Sequence, residues 1–462
     1  MDVVASQKYI TVAAAGFACG VAVNSVMNGG YALAGLFCVF ASALWFVRQR
    51  GLLVVLCVLA ALGAVRAQIT LDTLALVNSS YEPGRPEKVL FHALSSSSRS
   101  GDYIRFMAED ASTTAHLFVD ARSAEDVTKG DTLQVIGTIV PDYNRKGSGI
   151  LNDLQVTKLQ ITERVAPTFL DTIRNSFLHA LRTTISEPEA TLVAGIVIGE
   201  QGDMPKEISQ AFRTAGLSHI VVLSGYNITI IAAVIIAIIG AWSFTASIVV
   251  SAIAIILFVL MAGGGSSAIR AVVMAMMMLF GKWIGRPYSA GIALWTAAAL
   301  MVVWNPLILV YDVGFQLSVL ATAGMIYGVP VIEPRLHFVT ERFGLREALA
   351  GTVSATLFVA PIIAYIFGTV SLVAIPANMV VLPFVPLVMA VGLATGVVGM
   401  AVPFFALVPA FLSQELAAVI LSCTQFFANI PFASVAIPQP SVVVVMLLYF
   451  VLFYVFIYAE GW

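Results

Sequence analysis

The chain has 462 residues, of which 59% are hydrophobic and only 11% are charged, whereas about 25% are charged in an ordinary soluble protein. This composition excludes a soluble globular enzyme, and the formal net charge of −2 gives no sign of an overall basic nucleic-acid binder. Most of the charged residues lie between positions 70 and 216, so the sequence predicts one polar region inside a membrane protein.

The chain begins with three apolar runs, at about 9–28, 31–47 and 51–69. A helix needs about 20 largely apolar residues to cross a bilayer, because lipid offers the backbone no hydrogen-bond partners. The first run has no small-residue cleavage site at its end, which favours a retained helix over a removed signal peptide. Residues 1–69 are therefore predicted to be N-terminal transmembrane helices.

Residues 70–166 change to short runs in which apolar and polar side chains alternate, separated by turn-rich segments. This pattern predicts a small antiparallel β domain, and five runs fit a barrel of the OB type. OB barrels often bind single strands by stacking bases on aromatic rings, so Tyr103, Phe106 and Tyr143 are candidate DNA contacts. The alternative is that the aromatic residues form the barrel core, and acidic residues outnumber basic ones here.

Residues 167–216 have helical apolar spacing but carry too many charges to span a bilayer, which predicts amphipathic interfacial helices. Residues 217–462 are predicted to be a transmembrane domain. Its first spans lie at about 217–240, 244–263, 266–282, 288–304, 311–331 and 348–368. Prolines divide residues 371–460 into two or three further spans, with at least one interrupted helix.

The predicted fold is thus a polytopic α-helical membrane protein with about 11–12 transmembrane helices and an extracytoplasmic OB-like β-barrel domain. Short basic loops contain Arg48 and Arg50, Lys282 and Arg286, and the arginines of 333–347. All of these loops become cytoplasmic in a single topology, which has a cytoplasmic N-terminus and an extracytoplasmic segment 70–216.

Polar side chains at membrane depth cost several kcal/mol unless they are paired or hydrated, so each one is a functional candidate. The first group opens the span at 217–240 and contains His219, Ser224, Gly225 and Asn227. A Ser224–His219 nucleophile pair would make the protein an intramembrane hydrolase. Five residues of separation place the two side chains out of phase on a helix, and no obvious carboxylate orients the imidazole, so a polar lining is favoured.

Three further groups follow along the chain. Ser266 and Ser267 begin a helix with Arg270 one turn later, and such a helix start attracts anions. The alternative is a tight turn between two spans in which Arg270 is paired with a carboxylate. Asp312 and Gln316 form the third group, in which Asp312 is predicted to pair with Arg270 or His219. Asn378 is the fourth. In the predicted topology these segments begin at the outer side, which suggests a single vestibule leading into a pore.

Four segments occur in this order: AGLSHIVVLSGYNI, GGGSSAIRAVVMA, NPLILVYDVGFQLSVLATAG and FGTVSLVAIPANMVVLP. Together they resemble the competence domain of the ComEC family, the inner-membrane channel that imports single-stranded DNA during natural transformation. The resemblance implies that His219, Ser224 and Gly225 form the signature helix. It also implies that Arg270 is a conduction or gating arginine and that Phe315 with Gln316 is the third motif.

The chain departs from the family pattern in two places. Many relatives have a second histidine shortly after the Ser-Gly pair, where this chain has Tyr226 and Asn227. Longer relatives carry a C-terminal metallo-β-lactamase-like nuclease domain with an HxHxDH motif, whereas none of the five histidines here forms an HxH. The expected protein is a short form that is not an enzyme.

The resemblance implies transport of single-stranded DNA through a water-filled pore in the cytoplasmic membrane of a bacterium. The alternative is a transporter or flippase for another anionic or lipid-linked substrate. The expected partners are single-stranded DNA, membrane lipid and a separate energising ATPase, DNA receptor and nuclease, since the sequence has no GxxxxGK[ST] loop. No cofactor or metal is expected.

Overall fold

The computed structural model describes residues 16–25, 51–79, 86–93, 98–100, 103–110, 116–122, 127, 130–141, 152–166, 168–200, 204–221, 225–263 and 265–459. The chain divides into two compact units. Unit 1 comprises Met1–Thr168 and Ile292–Gln316, and unit 2 comprises Phe169–Gly291 and Leu317–Trp462.

Unit 1 begins with two helices, α1 (Gly16–Ser25) and α2 (Gly51–Ser79). They cross closely, because a Cβ atom at Gly20 would overlap the carbonyl oxygen of Ala60. Small residues at such a crossing let two backbones approach, as is common between membrane helices. Helix α2 continues ten residues beyond the predicted end of the span at position 69. The predicted span 31–47 lies outside the described residues.

Six strands follow in unit 1: β1 (Pro86–Ala93), β2 (Ser98–Ser100), β3 (Tyr103–Asp110), β4 (His116–Arg122), β5 (Thr132–Pro141) and β6 (Asn152–Glu163). Five of them coincide with the five alternating runs in the sequence, and β2 is a short addition within a predicted turn. Apolar residues at alternating positions of β1, β3, β4 and β5 lie in the core of the sheet, which is why these strands form here.

The strands form one sheet in the order β1-β5-β6-β4-β3-β2, and β1 also pairs with β3. The pairing of β4 with β6 is parallel, whereas the other pairings are antiparallel. The sheet buries a core that includes Phe91, Phe106, Leu133 and Val135. A small, mostly antiparallel β domain is therefore present where the sequence predicts one.

The remaining helices are α3 (Phe169–Thr184), α4 (Glu189–Ile198), α5 (Lys206–Thr214), α6 (Ser218–Val221), α7 (Gly225–Ile239), α8 (Phe244–Met261), α9 (Ser266–Trp283), α10 (Ala290–Trp304), α11 (Ile308–Tyr311), α12 (Val313–Ala323), α13 (Val329–Ile332), α14 (Leu345–Phe367), α15 (Ala374–Val381), α16 (Val385–Ala401), α17 (Pro403–Ala428) and α18 (Val442–Ala459). Strands β7 (Thr369–Ser371) and β8 (Ser434–Ala436) pair with each other in unit 2.

The chain is a mostly helical, multi-pass membrane protein. Among the described residues, five helices are long and apolar enough to cross a membrane: Phe244–Met261, Val313–Leu336, Leu345–Phe367, Ala374–Ala401 and Pro403–Ala428. The predicted total of about 11–12 spans stays a prediction. A 3₁₀ turn, Leu382–Phe384, lies between α15 and α16 within the candidate span Ala374–Ala401, and the predicted interruption of a span after position 370 stays a prediction.

The region predicted as interfacial, 167–216, is not uniform. Helices α3 and α5 have one buried and one polar side, as the pattern predicts. Helix α4 differs, because nine of its residues, from Ala190 to Ile198, are buried. It packs against α16 and α17, so it belongs to the core of unit 2 and does not lie at an interface. Its residues are apolar on every side, which suits complete burial.

Candidate functional site

Arg270 is the central residue of the candidate site in unit 2. It lies on the second turn of α9 and its exposed fraction is 6%. Its Nε donates a hydrogen bond to the Ser318 hydroxyl at 2.9 Å, and Nη1 lies 3.3 Å from the sulfur of Met274. The hydroxyl of Ser318 and the thioether of Met274 carry no charge. Burial of a cation is costly unless it is paired or hydrated, so Arg270 marks a candidate site.

Gly225 brings the first predicted motif against Arg270. A Cβ atom at Gly225 would lie 3.2 Å from the Cβ of Ala271 and 3.7 Å from Nη2 of Arg270. The absence of a side chain therefore allows the first residue of α7 to pack against α9. The structure thus joins two motifs that are 45 residues apart in the sequence.

Asn227 lies on α7 with an exposed fraction of 2%. Its Nδ2 donates a hydrogen bond of 2.8 Å to the carbonyl oxygen of Ile196, in the last turn of the buried helix α4. This contact attaches the signature helix to α4, and it indicates a positioning role for Asn227. Nothing in the sequence identifies Ile196 as its partner.

The structure does not test the nucleophile pair of His219 and Ser224. His219 lies on α6 and its side chain is exposed, whereas Ser224 lies outside the described residues. Close by, Gly216 adopts a left-handed conformation with a φ of 73°. A Cβ atom there would approach Ser371 and Ala374 to between 2.6 and 3.2 Å. The start of α6 therefore lies at the same end of unit 2 as the start of α15.

Asn378 lies on α15, one turn after Ala374, and its exposed fraction is 5%. Its Nδ2 donates to the Ala374 carbonyl oxygen at 2.8 Å, while its buried Oδ1 has no hydrogen-bond partner among the described residues. Because α15 begins beside Gly216, the structure brings the segments of His219 and Asn378 together. This agrees with the predicted convergence of those two motifs.

Ser266 and Ser267 occupy the first turn of α9, and both are partly buried. The preceding Gly265 has an extended conformation, and a Cβ atom there would have no neighbour within 4 Å. The turn before α9 is therefore open on the side of this glycine, as the anion-site interpretation requires.

Asp312 and Gln316 lie in unit 1, where they make local contacts. Asp312 Oδ1 accepts a hydrogen bond of 2.8 Å from the backbone N–H of Phe315, which caps α12. Gln316 Nε2 donates to the carbonyl oxygens of Leu309 and Val310, at 2.9 and 2.8 Å. Both side chains therefore stabilise the turn between α11 and α12. The predicted ion pair of Asp312 stays a prediction.

Of the three aromatic candidates in the β domain, the structure describes the side chain of Phe106 only. Phe106 has an exposed fraction of 1% and belongs to the core of the sheet, so a base could not stack on it. Its predicted DNA contact is wrong, and the alternative of a core aromatic holds for this ring. The side chain of Tyr103 and all of Tyr143 lie outside the described residues.

Two contributors were missed by the sequence reasoning. Ser318 is an ordinary polar residue of a predicted span, and only its position opposite Arg270 distinguishes it. Helix α4 was missed because its ten residues are too few for a span. Among the residues that the structure describes, no group of three or more His, Cys, Asp or Glu residues could hold a metal ion.

Comparison with known families gives one match. The family model described as "Competence protein" matches residues 196–462, which is more than half of the chain and includes the surroundings of Arg270. Neither the curated proteins nor the solved structures contain a match.

Proposed function

The chain belongs to the competence protein family, whose role is in DNA uptake during transformation, and from this we propose that it conducts single-stranded DNA through a water-filled pore. The membrane would be the cytoplasmic membrane of a bacterium, with residues 70–216 on the outer side.

The observation that carries the proposal is the burial of Arg270 beside Gly225 of the first motif and the hydroxyl of Ser318. Its Nε contacts Ser318 at 2.9 Å, and its exposed fraction is only 6%. Removing one guanidinium from water costs several kcal/mol unless a counter-charge or water compensates. A phosphodiester backbone passing the site would supply that charge transiently, and one cation binds phosphate too weakly to trap a strand.

The β domain would be an OB-type barrel. Its pairings run from β1 through β5, β6, β4 and β3 and return to β1. A ring of five strands with one parallel pairing supports this assignment. Because Phe106 is in the core, the proposed role of the domain is that of a scaffold, and that ring does not bind bases. Strand degradation and energy would come from separate proteins.

An uptake experiment tests the proposal. Arg270→Gln should reduce import of labelled DNA in whole cells at least tenfold, whereas Arg270→Lys should retain part of it because the charge remains. Lys282→Gln is the matched control, since it removes an exposed cation at the other end of the same helix. Wild-type uptake by Arg270→Gln, at normal protein levels in the membrane, would contradict the proposal.

Liposomes containing the purified protein distinguish the DNA channel from the alternative transporter. Flux of a single-stranded oligonucleotide supports the channel, whereas flux of small anions or lipid alone contradicts it. The same Arg270→Gln protein serves as the control for leakage.

A further inference from the structure

Helix α3 has an exposed row of polar side chains that lie outside the candidate site at Arg270. The opposite side of α3 is buried and apolar, and it contains Phe177, Leu178, Ala180 and Leu181. The exposed row follows helical spacing and consists of Thr172, Asn175, Ser176, His179 and Arg182. Exposed polar groups need water, so the depth of α3 in the membrane decides what this row faces.

Contacts with α16 place α3 beside a candidate membrane span. A Cβ atom at Gly396 would overlap the Phe177 ring, and one at Gly399 would lie 2.9 Å from the Cβ of Ala180. From the first contact to the second, the position increases by three residues on both helices, so α3 and α16 run parallel to each other. Helix α16 forms the second half of the candidate span Ala374–Ala401. Helix α3 therefore packs beside the C-terminal part of that candidate span.

The exposed side chains of α16 and of the start of α17, close to α3, are apolar. Val397 and Met400 on α16 are 56% and 42% exposed, and Phe404 at the start of α17 is 75% exposed. These side chains suit contact with lipid. The exposed row on α3 does not suit contact with lipid, because polar side chains that face hydrocarbon cost several kcal/mol in total.

A cavity lies where α3 ends. It has a volume of about 500 Å³ and is lined by Arg182, Glu187, Pro188 and Pro205. Since a water molecule occupies about 30 Å³, this space holds on the order of ten waters. Glu187 also accepts hydrogen bonds from the backbone N–H and hydroxyl of Thr191, at 3.1 and 2.7 Å. This space is open to the surface, so water can reach the end of the row at Arg182.

We propose that the row Thr172, Asn175, Ser176, His179 and Arg182 lines a hydrated passage at membrane depth, along which the phosphodiester backbone moves. Hydroxyl, amide and imidazole groups give weak, repeated contacts that let a polyanion leave as well as enter. The identity of the polyanion rests on the proposed function, whereas the hydration of the row does not.

Cysteine accessibility tests the hydration. In the full-length protein with its four native cysteines replaced, Asn175→Cys and His179→Cys are compared with Leu178→Cys, which is buried, and Val397→Cys, which is exposed but apolar. A small charged methanethiosulfonate should modify the first two at least tenfold faster than the controls. A maleimide coupled to a large polyethylene glycol should not react until the protein is unfolded.

Two results would overturn the hydrated passage. The first is a lack of reaction of Asn175→Cys and His179→Cys with the charged reagent, which would mean that the row is dry. The second is rapid reaction of both with the large polymer, which would place α3 in bulk water at the membrane surface.

A second arm tests the polyanion. DNA with a streptavidin block at one end should stall during import and slow the modification of Asn175→Cys several-fold. If modification is not slowed although Arg270→Gln abolishes uptake, the passage along α3 does not carry DNA and the proposed function still stands. If Arg270→Gln does not impair uptake, the proposed function itself fails.

Discussion

Replacing Gly396 with alanine should displace the Phe177 ring from the surface of α16. The added Cβ would fall on the ring, which has an exposed fraction of 3%. Overpacking of this kind costs about 1–3 kcal/mol. Alanine is the better helix former by about 1 kcal/mol, so the expected net loss is about 0–2 kcal/mol.

Thermal unfolding of the purified protein in detergent measures this loss as a lower midpoint temperature. Gly281→Ala is the control, because its Cβ would meet its nearest neighbour at an ordinary 3.4 Å. That variant should be as stable as the wild type or slightly more stable. Phe177→Ala alone should destabilise the protein, and adding Gly396→Ala to it should cost little more, since the ring is gone.

Equal stability of the Gly396→Ala and Gly281→Ala proteins would contradict the packing of Phe177 on Gly396. An equal loss of stability from Gly396→Ala with and without the Phe177 ring would contradict it as well. Either result would mean that α3 does not pack on the glycine side of α16, and the depth assigned to the polar row would then lose its support.

Three further predictions concern the site and the β domain. Gly225→Val should reduce DNA uptake at least tenfold in whole cells. A Cβ atom at this position would lie 3.2 Å from the Cβ of Ala271, and the valine methyl groups would extend toward Arg270. Normal uptake at equal protein level would contradict this prediction. Ser224→Ala should retain wild-type uptake, and loss of activity would instead favour the intramembrane hydrolase. Phe106→Ala should destabilise the β domain by about 3–5 kcal/mol, seen as faster limited proteolysis of the full chain; unchanged proteolysis with weaker oligonucleotide binding would restore Phe106 as a DNA contact.

The strands of the β domain could be predicted from local sequence patterns. Alternation of apolar and polar residues predicts five strands between 88 and 162, and each was found within a few residues of its expected ends. Strand alternation is a local property, because it depends only on which face of a strand is buried. The same sequence could not show whether Phe106 faces the core or a ligand, since both faces of a strand accept aromatic rings.

The helical part shows a different limit. Hydropathy predicts a span at 244–263, where the structure has the apolar helix Phe244–Met261, because crossing a bilayer sets a minimum length of apolar sequence. The ten-residue helix α4 is below that length, so its complete burial was not predictable. Its position depends on α16 and α17, which lie about 200 residues later in the chain.

The sequence by itself determined the membrane character of the chain, the place of the β domain and the identity of the rare polar side chains, because composition and periodicity are local. Only the tertiary structure decided that Gly225 packs beside Arg270, that Ser318 binds its guanidinium, and that Asp312 caps its own helix. These contacts depend on which helices become neighbours, and that choice is made by the close packing of small residues, which no single segment contains.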